Sequence, residues 1–171
     1  GLHDGLEAPR GSLTQRDDGQ TSSIVQSSSN NQASVTQGVA GSGDSTFNNS
    51  SSVNQAGTGS HVATVSQTGR LNDSSVDQTG DAGNADVDQS GDNNDSSVVQ
   101  FGNNDDAIVT QSGDGNSSDV TQEGTNILAT VTQGGNNNDS IVNQVAPGAR
   151  PQNSSVLVSQ FGDNNTSDVQ Q

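Results

Sequence analysis

A glutamine recurs every eleven residues through the middle of this 171-residue chain. A valine precedes each of these glutamines by two places. The residue four places before the glutamine alternates between alanine and serine, so the full repeat has 22 residues in two similar halves. A fixed period of this kind is typical of repeat proteins, in which each unit packs only against its neighbours. The regular block contains Gln67, Gln78, Gln89, Gln100, Gln111, Gln122, Gln133 and Gln144.

The same pattern extends beyond the regular block in both directions and predicts one repeat domain over residues 11–171. Longer spacings indicate insertions near residues 38–49 and 145–151. Residues 1–10 carry no period and contain Gly and Pro, so we expect a flexible N-terminal leader there. Two more glutamines of the predicted set follow the second insertion, namely Gln160 and Gln171.

Each half-repeat is predicted to be a strand followed by a turn. In the half-repeat that ends at Gln122, the small or amide residues and Val120 fall on alternate positions, with Asp119 and Thr121 between them. Because successive strand side chains point to opposite faces, this alternation predicts an inward set and an outward set. A Gly usually follows two places after the Gln, often beside Asn or Asp, and this composition is typical of tight turns.

Residues 22 places apart are predicted to stack along the axis of an all-β solenoid of about seven two-strand rungs. Inward amides stacked in register can hydrogen-bond to the rungs above and below, as in cross-β structures, while valines form a thin dry layer between two sheets about 10 Å apart. In the half-repeats with serine, the predicted ladder contains Asn72, Asn94, Asn116, Asn138 and Asn165 together with Val76, Val98, Val120 and Val142. In the half-repeats with alanine, the position of the Asn is irregular and holds His61, Gly83, Asp105 and Ile127.

Overall composition, taken without the repeat, predicts disorder, because 25% apolar residues and a net charge of -16 leave little surface to form a globular core. A solenoid avoids this limit because ordered polar ladders replace much of the apolar core. The acidity also argues against nucleic acid and anionic membranes as partners. No run approaches the roughly 18 apolar residues of a membrane span, so no membrane insertion is expected.

The sequence offers no constellation for catalysis, so we do not expect an enzyme, a cofactor or a metal centre. Ser and Asp are abundant, but no His recurs beside them as a base. His3 and His61 are isolated, whereas a metal site needs several converging ligands. Calcium binding at the Gly-Asp turns stays open as an alternative to a purely structural role, although calcium-binding β-rolls use a nine-residue repeat. These turns contain Asp81, Asp92, Asp114 and Asp163.

The iterated pattern resembles the curlin repeat of curli, a bacterial extracellular amyloid. That repeat has a Gln, a Gly two places later, an Asn five later, a small residue seven later and a Gln eleven later; Gln89, Gly91, Asn94, Ser96 and Gln100 match it in order. The resemblance covers residues 11–171. This chain departs from the family in having Ser where Ala is usual in the Asn-bearing half, and in having few aromatic residues, which are Phe47, Phe101 and Phe161.

The resemblance implies a secreted structural subunit, exported unfolded through an outer-membrane pore. Such subunits polymerise end to end on the cell surface into an amyloid fibre that supports biofilm and adhesion, with a nucleator subunit as a further partner. Three alternatives remain: a monomeric ice-binding solenoid, a stalk segment of an adhesin, and the minor nucleator of the same fibre. Ice binding requires a regular outward Thr array, for which the best run is Thr110, Thr121 and Thr132.

Overall fold

The computed structural model describes residues 8–16, 18–38, 48–145 and 153–171. Most of the predicted leader and most of each predicted insertion therefore lie outside the described residues. The described residues form fourteen strands joined by turns: β1 Arg10–Gln15, β2 Thr21–Gln26, β3 Gln32–Gln37, β4 Ser50–Gly57, β5 Val62–Arg70, β6 Asp73–Gly80, β7 Asn84–Asp92, β8 Asp95–Gln100, β9 Asp106–Ser112, β10 Ser117–Glu123, β11 Leu128–Gly134, β12 Asp139–Val145, β13 Ser155–Phe161 and β14 Thr166–Gln170.

The strands build two parallel seven-stranded sheets. One sheet contains β1, β3, β5, β7, β9, β11 and β13, and we name it the odd sheet; the other contains the even-numbered strands, and we name it the even sheet. Successive strands alternate between the sheets, so each pair of strands forms one rung of a solenoid. The register joins equivalent positions of the repeat, as in Val98–Val120 and Val120–Val142. The prediction of an all-β solenoid with about seven rungs is confirmed.

Both predicted insertions fall between strands and leave the register intact. Val53 of β4 pairs with Ile24 of β2, and Val158 of β13 pairs with Val131 of β11. The insertions therefore lengthen connections without shifting any side chain to the wrong face, which a one-residue slip within a strand would do.

The core is a thin layer between the sheets, made of the inward residues of every strand. In β10, Ser118, Val120 and Gln122 are buried, whereas Asp119 is exposed. The buried apolar residues are nearly all Val and Ala. Burying one Val contributes only about 1.5–3 kcal/mol, so the polar residues of this core must also be fully hydrogen-bonded for the fold to be stable.

The turns require glycine because adjacent rungs approach closely there. A Cβ added at Gly91, where φ is +115°, would stand 2.1 Å from the carbonyl oxygen of Gly113 in the next rung. Seven places before most of the ladder glutamines, the chain adopts a left-handed conformation, which Asn tolerates better than most residues. Asn occupies most of these places, and the exceptions with a side chain other than Asn are Leu71 and Ala82.

Candidate functional site

The glutamines form one continuous amide ladder on each sheet. Gln100 Nε2 donates to Gln122 Oε1 at 2.9 Å, and Gln100 Oε1 accepts from Gln78 Nε2 at 2.8 Å. The odd ladder comprises Gln15, Gln37, Gln67, Gln89, Gln111, Gln133 and Gln160. The even ladder comprises Gln26, Gln55, Gln78, Gln100, Gln122, Gln144 and Gln171. All ten glutamines that the sequence singled out therefore lie in the ladders.

Every ladder amide from Gln26 to Gln160 also ties the two sheets together. Gln111 Nε2 donates to the carbonyl oxygen of Asp95 on the even sheet at 2.8 Å. Gln122 Nε2 donates in the same way to Asp106 on the odd sheet at 2.9 Å. A buried amide that lacked these partners would lower the stability of the fold by about 1–3 kcal/mol. The ladder avoids this cost because its buried amides bond to one another and to the opposite sheet.

Both glutamine ladders have the same direction. In every step the Nε2 of one rung donates to the Oε1 of the rung that follows along the chain, as from Gln15 to Gln37 at 3.0 Å. The first rung therefore presents an amide oxygen at its outer side, and the last rung presents an amide nitrogen. The two ends of the solenoid are chemically complementary to each other rather than to themselves.

The asparagines form a third ladder at the start of the even strands, six places before each Gln; we name this place in either sheet the corner position. Asn116 donates to Asn94 Oδ1 from its backbone nitrogen at 3.0 Å and from Nδ2 at 3.1 Å. Its Nδ2 also donates to the Gly135 carbonyl oxygen at 2.9 Å. This ladder runs against the glutamine ladders, because here the later rung donates to the earlier one. It includes every predicted asparagine: Asn72, Asn94, Asn116, Asn138 and Asn165.

The valines of the predicted set lie directly beside the even glutamine ladder. Val76, Val98, Val120 and Val142 pair in register and are at most 1% exposed. They separate the amide ladder from the buried serines. Unlike the amides, the serine hydroxyl groups are not satisfied: no hydrogen-bond partner is found for the Oγ atoms of Ser51, Ser74, Ser96, Ser118 and Ser140.

The corner position of the odd sheet does not continue such a ladder. His61 donates from its backbone nitrogen to Asn31 Oδ1 at 3.1 Å, and its Nδ1 accepts from the Gly83 nitrogen at 3.1 Å. Ile127 donates from its backbone nitrogen to Asp105 Oδ1 at 3.3 Å, whereas Asp105 Oδ2 has no partner. Burial lowers the pKa of His61 and raises the pKa of Asp105. Two ionisable groups are thus buried in positions where both prefer to be neutral.

The turn aspartates form hydrogen bonds between rungs, which the sequence analysis did not predict beyond a structural role in turns. The backbone N–H of Asp92 donates to Asp114 Oδ1 at 2.9 Å, and the backbone N–H of Asp114 donates to Asn136 Oδ1 at 2.9 Å. Arg70 begins this exposed series with an ion pair to Asp92 at 2.7 Å, and the side-chain hydrogen bond from Arg70 lowers the pKa of Asp92. Among the described residues there is no group of three or more His, Cys, Asp or Glu placed to hold a metal ion.

Outward carboxylates stack on one another along the even sheet. Burial raises the pKa of Asp95, and so does the negative charge of Asp73 and of Asp119 on the strands at either side. On the odd sheet, burial and the charge of Asp88 raise the pKa of Asp86. Like charges directly opposite in a sheet oppose pairing, so the acidic residues weaken the stack that the amides hold together.

The outward threonines do not form a single row. Thr110 and Thr132 are neighbours on the odd sheet, whereas Thr121 lies on the even sheet. The run that would have supported ice binding is therefore divided between two faces. In the part of the chain that the structure describes, no helix has the length and apolar character that a membrane span requires.

Comparison with known proteins places the repeat in a described family. Residues 80–113 and 91–124 each match the family described as curlin associated repeat. The second matched segment contains the motif from Gln111 to Gln122, with Gly113, Asn116 and Ser118 at the spacings given above. No curated protein matches the chain.

Proposed function

We propose that this chain, which matches the curlin associated repeat over residues 80–124, is a structural subunit of a curli-like extracellular amyloid fibre, which grows by stacking the last rung of one copy on the first rung of another. The proposal includes secretion, display at the cell surface, and a contribution to biofilm matrix and adhesion, as expected of the family. A nucleator subunit and a secretion pore are further partners of the proposal.

The observation that carries the proposal is the complementarity of the two end rungs. The last rung offers Nε2 of Gln160 and Gln171, and the first rung offers Oε1 of Gln15 and Gln26. Stacking one on the other continues both glutamine ladders. The asparagine ladder, which has the opposite direction, continues as well, because its acceptor end is the Oδ1 of Asn165.

The same geometry gives the fibre a polarity. Joining two first rungs would bring amide oxygens against amide oxygens, and joining two last rungs would bring donors against donors. Head-to-tail stacking alone pairs donors with acceptors and also keeps all strands parallel. Seven rungs at a spacing of about 4.8 Å give a rise of about 34 Å for each subunit.

The stacked carboxylates fit a subunit that must stay soluble before it assembles. The formal net charge is -16, and repulsion between like charges keeps unassembled chains apart. The amide ladders favour stacking, whereas the charges oppose it, so assembly requires the correct register of the ladders rather than general hydrophobic contact.

The test is electron microscopy of the purified chain after incubation, combined with fibre diffraction. We expect unbranched fibres with reflections near 4.8 Å and 10 Å. Gln122→Ala should slow fibre growth and lower denaturant resistance, because it interrupts the even ladder. The outward neighbour Thr121→Ala is the matched control and should change little.

Persistent monomeric particles would contradict fibre formation and would favour a monomeric solenoid such as an adhesin stalk. Equal effects of Gln122→Ala and Thr121→Ala on fibre growth would leave the fibre in place but would reject the amide ladder as its cause.

A further inference from the structure

The inward residue four places before each Gln, which we name the small slot, is Ala in five consecutive strands of the odd sheet. The two outermost strands depart from this rule in opposite directions: β1 has Gly11, the smallest residue, and β13 has Val156, which is larger than Ala and only 5% exposed. Between them the column is Ala33, Ala63, Ala85, Ala107 and Ala129.

The neighbouring inward position also changes at the first rung. Where most strands have Val, β1 has Leu13 and β2 has Ile24, each larger by one carbon atom. Leu13 is 48% exposed although it points inward, because no rung precedes it among the described residues. The outer side of the last rung carries a groove of about 440 Å³, whose lining includes Val158, Gln160 and Val169.

These departures match each other across a head-to-tail contact. With the register of the solenoid continued, Val156 of one copy lies beside Gly11 of the next. Leu13 and Ile24 of that next copy then lie over Val158 and Val169, at the groove. The large residue of each pair meets the smaller residue or the open space, as close packing in a protein core requires.

A buried amide at the first rung supports the same contact. Gln20 occupies the corner position of β2, where its Oε1 accepts from the Asn49 backbone nitrogen at 3.2 Å, while its Nε2 is buried without a hydrogen-bond partner. In the asparagine ladder, the equivalent Nδ2 donates to the Oδ1 of the preceding rung, as Asn165 donates to Asn138 at 2.8 Å. Gln20 therefore begins the asparagine ladder, and the continued register places Asn165 of another copy beside it.

We propose that the two end rungs form a size-matched, self-recognising junction, in which Val156 packs over Gly11 of a second copy of this chain and Asn165 lies beside Gln20 of that copy. The proposal rests on the proposed head-to-tail fibre and adds what selects the partner and its register. A curlin-type subunit that has Ala at both places would leave a cavity beside Gly11 or would crowd Val156, and would therefore join this fibre less readily.

A size swap tests the junction. Gly11→Val should lower the rate of fibre elongation on wild-type seeds about tenfold, because overpacking a core is destabilising. The double variant Gly11→Val, Val156→Gly restores the size match at every junction, so its elongation on seeds of its own kind should return to within about threefold of the wild-type rate. Within one copy, a Cβ at Gly11 lies 3.5 Å from Ile24 Cγ2, an ordinary contact. Ser12→Val, at the outward neighbour, is the matched control and should elongate normally.

If wild-type chains form fibres but the Gly11→Val, Val156→Gly double variant elongates as slowly as the Gly11→Val chains do, the size match is rejected while the proposed function stands. If Gly11→Val chains grow normally on wild-type seeds, the junction is likewise rejected. If wild-type chains form no fibres, the proposed function itself fails.

Cysteine cross-linking tests the register without altering the core. The chain contains no cysteine, and Ser12 and Leu157 are outward residues that the continued register brings side by side, at about 4.8 Å between Cα atoms. This distance lies within the disulfide range. Fibres of the Ser12→Cys, Leu157→Cys double variant should therefore oxidise to a ladder of covalent oligomers. In the Ser12→Cys, Ser159→Cys variant the second cysteine is displaced by two residues, so the two Cα atoms are about 8 Å apart and no disulfide should form. Cross-linking of this variant but not of the first would overturn the proposed register.

Discussion

The two sheets carry the same Val and Gln positions but differ at the corner position. On the even sheet the corner is Asn in nearly every rung, and the side chains of Asn94, Asn116 and Asn138 each bond to the rungs on both sides. On the odd sheet the corner changes from His61 to Gly83, Asp105 and Ile127, and the side-chain hydrogen bonds do not form a continuous series. The comparison shows which hydrogen bonds the solenoid requires at the corner and which changes of side chain it tolerates there.

The solenoid requires a hydrogen-bond partner for each backbone N–H or carbonyl group that a turn directs into the core. Asn94 Nδ2 donates to the Gly113 carbonyl oxygen at 2.8 Å, so the even corner fastens the turn of the next rung. Ile127 can do nothing of this kind, yet it is buried in the corresponding place on the odd sheet. The odd corner thus accepts hydrogen-bonding and apolar side chains alike, whereas the even corner has a continuous series of hydrogen bonds.

The largest expected effect is the loss of an even-corner amide. Asn116→Ala removes the acceptor of the Asn138 backbone nitrogen and the donor to the Gly135 carbonyl oxygen. Two buried groups without partners should lower the free energy of unfolding by roughly 2–4 kcal/mol. Guanidinium unfolding measures this loss in the free energy of unfolding, with the outward Ser117→Ala variant as the control. A loss no greater than that of the control would mean that the asparagine ladder does not stabilise the even sheet.

The second effect has the opposite sign and lies at the odd corner. Asp105 is fully buried, its Oδ2 has no partner, and burial raises its pKa. Asp105→Asn should raise the free energy of unfolding at pH 7 by roughly 1–3 kcal/mol, because an uncompensated carboxylate is replaced by a neutral amide.

The pH dependence identifies the cause. Since the folded pKa of Asp105 is raised, the folded chain binds a proton before the unfolded chain does, and wild-type stability gains from this group as pH falls through its folded pKa. The advantage of Asp105→Asn should therefore shrink from pH 7 towards pH 4. His61 acts in the opposite sense, since its lowered pKa costs stability as pH falls below the ordinary histidine range. The unfolding measurement therefore uses His61→Asn as the background for both chains. If the stability advantage of Asp105→Asn did not change with pH, the gain would come from packing and not from removal of the buried charge.

Periodicity alone predicted the solenoid, because every inward Val and Gln recurs at a spacing that only stacked strands bring together. It also placed the ladder glutamines and asparagines, since their chemistry is the same in every rung. The hydrogen bonds of Asp92 and Asp114 in the turns escaped prediction, because Asp is equally typical of turns and of calcium sites. Gln20 was missed because it differs by a methylene from the Asn of its column, and only the three-dimensional register reveals that its amide takes the same place.

The smallest expected effect concerns the small slot, where the even sheet has Ser and the odd sheet has Ala. Ser96 is buried, and its hydroxyl has no hydrogen-bond partner, whereas Ala107 fills the equivalent place of the odd sheet without a polar atom. Ser96→Ala should therefore stabilise the chain by about 0.5–1 kcal/mol, and Ala107→Ser should destabilise it by a similar or larger amount, because each change removes or adds one unpaired buried hydroxyl. Paired guanidinium unfolding curves measure both changes. If Ser96→Ala were destabilising, the hydroxyl would have a partner in solution, and the even sheet would depend on its serines as it does on its asparagines.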